Sequence, residues 1–173
     1  METDPRPCTG PVAGLAQTHI EEAAGGLQSA MTGEFIPPHG PFGVAKRTMV
    51  SRQPFGVVLA IAPHNAPFIL GMRSVIYALA AGNTVVMKTS EYSPRVHNCV
   101  ADLLIEAGLP EGVLNVIHID PKDAPEVVER LVAHKDIAFV NFTGSTRVGR
   151  ILGSLCGKYV KPSLMELGGK GAL

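Results

Sequence analysis

Residues Asp136-Ile137-Ala138-Phe139-Val140-Asn141-Phe142-Thr143-Gly144-Ser145-Thr146-Arg147-Val148-Gly149 decide the fold. Ile137, Ala138, Phe139 and Val140 form a short apolar run, as in a strand covered on both faces. Gly144 has no Cβ, so the backbone there can turn sharply and approach a ligand. Ser145 or Thr146 suits the N-cap of a following helix. The first N–H groups of that helix have no partner inside it and favour an anion, most often a phosphate. Taken alone, this strand–turn–helix is the ordinary joint of any α/β domain. Its neighbours give it direction.

From Phe55 onward, strands and helices alternate. Gly56–Ala62 reads as a buried strand, Pro67–Ala81 as a helix closed by Gly82-Asn83, and Thr84–Lys88 as a second strand. Pro94–Ala107 reads as a helix with Pro94 at its first position and Gly108 at C′. Val113–Ile119 is a third strand, and Ala124–Ala133 a helix with Asp123 as N-cap. Ile137–Phe142 is the fourth strand, Ser145–Cys156 a helix, and Lys161–Glu166 the fifth strand. Such alternation predicts an α/β fold, a doubly wound parallel sheet of about five strands with right-handed crossovers.

Ahead of this unit, residues 1–18 read as a flexible leader. Residues 19–62 read as an N-terminal helix (His19–Met31), a short β-extension and the first sheet strand. Gly25-Gly26 weakens that helix by roughly 1 kcal/mol per glycine. Pro37–Pro41 is a loop, and Ala45–Arg52 is extended. Residues 63–173 hold the rest of the alternating unit.

Of 173 residues, 46% are hydrophobic and 17% charged, which is a globular composition. The formal net charge is zero, so no basic stripe points to nucleic acid or an anionic membrane. Apolar runs break well before bilayer length, and the polar, proline-bearing start lacks the apolar core of a signal peptide. The cytoplasm is the expected compartment. Cys8, Cys99 and Cys156 are odd in number and far apart, which argues against a disulfide framework. The six histidines show no metal-ligand spacing, so no metal is expected.

The three-glycine fingerprint of the ordinary dinucleotide fold is absent. Ala62-Pro63-His64-Asn65-Ala66-Pro67 follows the first strand instead, so a dinucleotide would bind in another manner. In an open parallel sheet, ligands gather at the carboxyl ends of strands. Asn65, Lys88, Glu91, Thr143–Ser145 and Glu166 all fall there.

These segments carry a resemblance. Ala62–Pro67, Gly82–Glu91, Ala107-Gly108-Leu109-Pro110, Phe142–Ser145 with Val148-Gly149, and Glu166-Leu167-Gly168-Gly169-Lys170 resemble the aldehyde dehydrogenase superfamily in order and spacing. The match runs from about His19 to Leu173. It is nearest to the branch that oxidises aromatic aldehydes such as salicylaldehyde or vanillin. By this resemblance, residues 63–173 are an incomplete dinucleotide-binding domain, and the catalytic domain is absent.

The resemblance implies roles. Asn65 donates to the oxyanion formed when a thiolate attacks the aldehyde, a contact typically worth about 3 kcal/mol of barrier. Glu166 is the general base that activates water, and burial beside Gly168-Gly169 is expected to raise its pKa. Lys88 and Glu91 hold the adenosine ribose. The Glu91 carboxylate repels a 2′-phosphate, which favours NAD over NADP. Gly144 and Ser145 meet the pyrophosphate, and Ile61, Ala62, Pro63, Val148 and Leu167 complete the cofactor-binding set. Without the resemblance, Asn65 is a turn residue, and Lys88, Glu91 and Glu166 are solvated strand ends.

The family's nucleophilic cysteine and the acidic residue that holds the nicotinamide ribose lie further along than these residues reach. Cys99 and Cys156 sit inside helices and are expected to pack as small hydrophobes; Cys8 lies in the leader. His64 stands where the family usually has tryptophan, which implies a packing change beside Asn65. The reading is therefore an aldehyde dehydrogenase-like oxidoreductase, truncated and inactive by itself. Its implied partner is a small-molecule aldehyde, with homo- or hetero-oligomers left open. The rival readings are a non-catalytic relative that binds nucleotide or a partner chain, and an unstable remnant.

Overall fold

A computed structural model describes residues 11–37 and 48–169. Helix α1 (Pro11–Met31) leads into a two-stranded antiparallel hairpin, β1 (Glu34–Ile36) and β2 (Thr48–Val50). Then follow β3 (Val57–Ile61), α2 (Pro67–Ala80), β4 (Thr84–Lys88), α3 (Pro94–Glu106), β5 (Leu114–Ile117), α4 (Ala124–Ala133), β6 (Ile137–Gly144), α5 (Thr146–Lys158) and β7 (Ser163–Leu167). Strands β3 to β7 form one parallel sheet in the order β5-β4-β3-β6-β7. The expected doubly wound sheet of five strands is present.

The period-two pleat divides the core between the two faces. Val58, Ala60, Val85 and Met87 meet α2 and α3 through Phe68, Met72, Val75 and Val100, with Ala16 of α1 joining them. Leu59, Ile61, Val140 and Phe142 meet α4 and α5 on the other side through Val132, Leu152 and Cys156. Strand β6 keeps its place across a bulge, because the register with β3 shifts between Val57 and Val58.

Three differences from the sequence reading have local causes. The first helix starts at Pro11, so residues 11–18 are helical rather than a loose leader. Ala16 and Ala23 are buried and secure α1 against α2. Strand β1 was not expected; it is three residues long and wholly exposed, so burial leaves no pattern in its sequence. Asp123 makes no capping hydrogen bond, and its own helical backbone (φ −93°, ψ −12°) takes it into the preceding turn. Elsewhere the punctuation is as expected: Gly82 and Gly108 have φ of +80° and +97°, and Asn83 accepts from Gly56 N–H while donating to the Ala78 carbonyl. The first part of the extended segment, residues 45–47, and the loop residues 38–41 lie outside the described residues, as do Cys8 and the rest of residues 1–10.

Candidate active site and nucleotide rim

The strand order reverses direction between β3 and β6, and a cleft opens where they end. Ile61 pairs with Phe142, and Thr143 with Glu166, so the three strands stop at nearly one level. Beyond them the chain leaves β3 through Pro63, His64 and Asn65, and leaves β6 through Gly144 and Ser145. These residues, with Glu166, Leu167 and Gly168 from β7 and Leu70 and Arg73 from α2, line a cleft of about 410 Å³. Asn65 and Glu166 are both exposed to it.

Each wall has a local cause. Pro67 takes the first turn of α2, where a missing N–H costs nothing, and this ends the loop that carries Asn65. At Gly144 a Cβ would stand 2.5 Å from Phe142 Cζ, so the turn above that ring has no space for a side chain. Ser145 caps α5, its hydroxyl accepting from Val148 N–H at 3.3 Å. That satisfies one of the first-turn N–H groups that have no partner inside the helix. Thr146 Oγ1 donates to the Gly168 carbonyl at 3.3 Å, which ties the end of β7 to the start of α5.

Lys88 and Glu91 stand beyond the cleft lining, at the end of β4. Lys88 is buried rather than solvated, and its ammonium donates to Glu91. Burial would push the Glu91 carboxyl up. The hydrogen bond from Lys88, its own backbone N–H, and the charges of Lys88 and His64 more than offset this and hold it below the usual carboxylate range.

Glu166 departs from expectation, since its side chain is exposed and the anticipated burial is absent among the described residues. Gly168 and Gly169 are exposed beside it and cover nothing. The side chains of Ile61 and Ala62 belong to the two cores, so only their backbone atoms remain for a ligand. Val148 is half-buried against α5's core, and Leu167 lines the cleft. Cys156 is buried, and desolvation pushes its thiol up, the opposite of nucleophile activation. Cys99 packs against the other core.

Sequence reasoning missed three residues. Arg73 lines the cleft, with Nη2 3.4 Å from Thr143 Oγ1. Tyr92 lies tilted against His64, ring centroids 5.1 Å apart. His97 is fully buried; its Nδ1 accepts from Ser90 N–H at 3.1 Å and so fixes the loop between β4 and α3. His97, Val100, Ala101 and Leu104 recur at helical spacing, and that stripe was the available signal for a core histidine.

The aldehyde dehydrogenase family model matches residues 11–173. The chain belongs to the aldehyde dehydrogenase family. It is 52% identical over 156 residues to a vanillin dehydrogenase of Pseudomonas sp. (strain HR199 / DSM 7063), covering 90% of this chain and 32% of that protein. It is 40% identical to a salicylaldehyde dehydrogenase of Pseudomonas putida, covering 91% and 32%. Among solved structures, the salicylaldehyde dehydrogenase from Pseudomonas putida G7 complexed with salicylaldehyde superposes with a TM-score of 0.86 at 39% identity, covering 92% of this chain and 32% of that one. The Mycobacterium tuberculosis aldehyde dehydrogenase complexed with NAD+ gives 0.80 at 34% identity, covering 91% and 31%. The chain thus spans about a third of the length of these relatives. Among the described residues no helix is long and apolar enough to cross a membrane.

Proposed function

We propose that this chain supplies the nucleotide-binding part of an NAD-dependent enzyme that oxidises an aromatic aldehyde to its acid. One observation carries the reading. An amide, a carboxylate and a helix N-terminus, far apart in sequence, line one cleft through Asn65, Glu166 and Ser145.

The residues present fit a dinucleotide. Gly144 brings bare backbone to the cleft lining, and the α5 N-terminus favours a pyrophosphate. Glu91, fixed by Lys88, accepts from ribose hydroxyls and disfavours a 2′-phosphate, hence NAD rather than NADP. Pro63, Val148 and Leu167 supply apolar contact, and Ile61 and Ala62 supply backbone. NAD contributes the hydride acceptor; the chemistry below belongs to this chain. The Asn65 amide donates to the carbonyl oxygen as negative charge gathers on it. The Glu166 carboxylate, open to solvent, takes a proton from the water that releases the acid.

Neither Cys99 nor Cys156 lines the cleft, so the thiolate that adds to the aldehyde comes from outside these described residues. The 173 residues tested by themselves therefore bind NAD without turning over aldehyde. The bound partner is a small aldehyde, and the setting is a reducing cytoplasm, which suits the free thiol of Cys156.

Calorimetry with millimolar NAD, and initial rates with vanillin and NAD, test both parts. Weak binding without turnover is expected. No heat of binding overturns the cofactor assignment, and turnover at ordinary enzyme rates overturns the division of labour.

A further inference from the structure

The turn that carries Glu91 stands on a buried base. Lys88, Thr89 and Ser90 are all buried, while Glu91 is half-buried and Tyr92 exposed. Thr89 is tied to β5, its N–H donating to the Ile117 carbonyl at 3.1 Å. At Ser90 the tie runs to α3, its N–H donating to His97 Nδ1 at 3.1 Å. Among the described residues the other bonds at Ser90 stay within the turn: Tyr92 N–H donates to its hydroxyl and Ser93 N–H to its carbonyl.

The bond from Ser90 settles the tautomer of His97. A neutral imidazole accepts at one nitrogen and carries its proton on the other, so the hydrogen is on Nε2. That Nε2 is buried without a hydrogen-bonding partner. The backbone of Pro67, at the start of α2, acts on the ring without closing such a bond. The ring lies over Gly71 of α2, where a Cβ would stand 2.9 Å from His97 Cδ2. A buried donor without a partner is destabilising, and an apolar side chain would fill this place without that cost. What an apolar side chain lacks is the acceptor at Nδ1.

We infer that His97 is a positioning residue for nucleotide recognition: by holding Ser90 N–H, it sets Glu91 where the adenosine ribose hydroxyls meet it. The inference rests on the reading of Glu91 as the ribose acceptor given above. Without the acceptor, Ser90 N–H is left buried and unpaired, and the turn has to shift toward water to satisfy it. Glu91 is the next residue and moves with the turn. Lys88 stays where it is, held in β4 by its pairing with Ile61 of β3 and Ile117 of β5. The carboxylate then loses both its place beside the Lys88 ammonium and its alignment with the ribose.

Calorimetry on the 173-residue chain tests this, with adenosine 5′-monophosphate and 2′-deoxyadenosine 5′-monophosphate as probes. The wild type is expected to favour the ribonucleotide about tenfold, as one hydrogen bond to a partly exposed carboxylate does. Glu91→Gln should lose most of that preference. His97→Leu fills the space without an acceptor and should cut the preference to about twofold or less. His97→Gln, which has no acceptor at the Nδ1 position, takes its place if His97→Leu gives no cooperative urea transition. His97→Asn puts its amide oxygen at the Nδ1 position and leaves a void beside Gly71. It should be less stable to urea than the wild type and still retain most of the preference. A preference that survives the loss of the acceptor, or that falls as far in His97→Asn as in His97→Leu, overturns the inference and leaves the ribose reading standing. No preference in the wild type, or one that Glu91→Gln leaves intact, overturns the ribose reading and the inference together.

Discussion

Gly149 and Leu167 touch across the joint between α5 and β7: a Cβ at Gly149 would stand 2.9 Å from Leu167 Cδ1. The missing side chain is what lets the helix that caps the cleft lie against the strand that carries Glu166. Gly149→Ala should therefore have opposed effects. Alanine favours the helix by about 0.5–1 kcal/mol. Leu167, partly exposed, has to swing aside and loses a comparable amount of packing. Stability measured by urea unfolding is expected to change by less than about 1 kcal/mol. NAD affinity should still fall severalfold, because Leu167 lines the cleft.

The Lys88–Glu91 pair predicts an unequal response to losing either partner. The Lys88 side chain is 8% exposed and that of Glu91 23%. Glu91→Ala strands a buried ammonium and should cost about 3 kcal/mol in urea unfolding. Lys88→Met keeps the apolar stem buried and leaves a carboxylate that can reach water, so its cost should be nearer ~1 kcal/mol. The double variant should be more stable than Glu91→Ala alone. In acid the sign is fixed by the lowered carboxyl of Glu91. Its contribution is complete above the ordinary carboxylate value of about 4.3 and disappears as pH falls through the lower folded value.

What was legible follows from burial. Strands β3, β4 and β6 are covered on both faces, so they appear in the sequence as short apolar runs between glycines and prolines. Ser145 and Gly108 announce helix ends because their chemistry is local. Tertiary packing is not local, and there the reading failed. The anchoring of residues 11–18 depends on α2, and β1 depends on a partner beyond residue 47. The exposure of Glu166 was misjudged for the same reason. β7 is an edge strand of the described sheet, and a motif says nothing about which side of a strand is covered. Asn65, Ser145 and Glu166 were assigned by motif and do share a cleft, whereas Arg73 belongs to no motif and only the crossing of α2 over β6 brings it there.

His97 predicts a pH dependence of stability. Its folded pKa is lowered by desolvation, with nearby Lys88 and His118 acting in the same direction. The unfolded chain therefore takes up a proton first as pH falls through the ordinary histidine value of about 6.5. Stability should be undiminished above that pH and decline below it, by at most about 1.4 kcal/mol per pH unit for one proton. His97→Gln removes the titration. Urea unfolding between about pH 7.5 and 5 should show a shallower slope for the variant. Its stability at the upper end should be lower, because the imidazole also fills the space beside Gly71.

Val160 occupies a position that suits almost any other residue better. It has φ of +53°, alone among the described non-glycine residues in that region. The cause is the end of α5, where Val160 N–H donates to the Gly157 carbonyl and Lys161 N–H to the Cys156 carbonyl at 2.8 Å. That pairing closes a helix through a left-handed residue, usually glycine or asparagine. A β-branched side chain is strained there, and this one lies in solvent, where it gains nothing from packing. Val160→Asn should stabilise the chain by about 0.5–1 kcal/mol. Thermal melting should move up by roughly 1–4 °C for a domain of this size. Val160→Ala keeps a Cβ in the left-handed region and should recover less. Equal melting temperatures for wild type and Val160→Asn would show that the helix end relaxes without this turn.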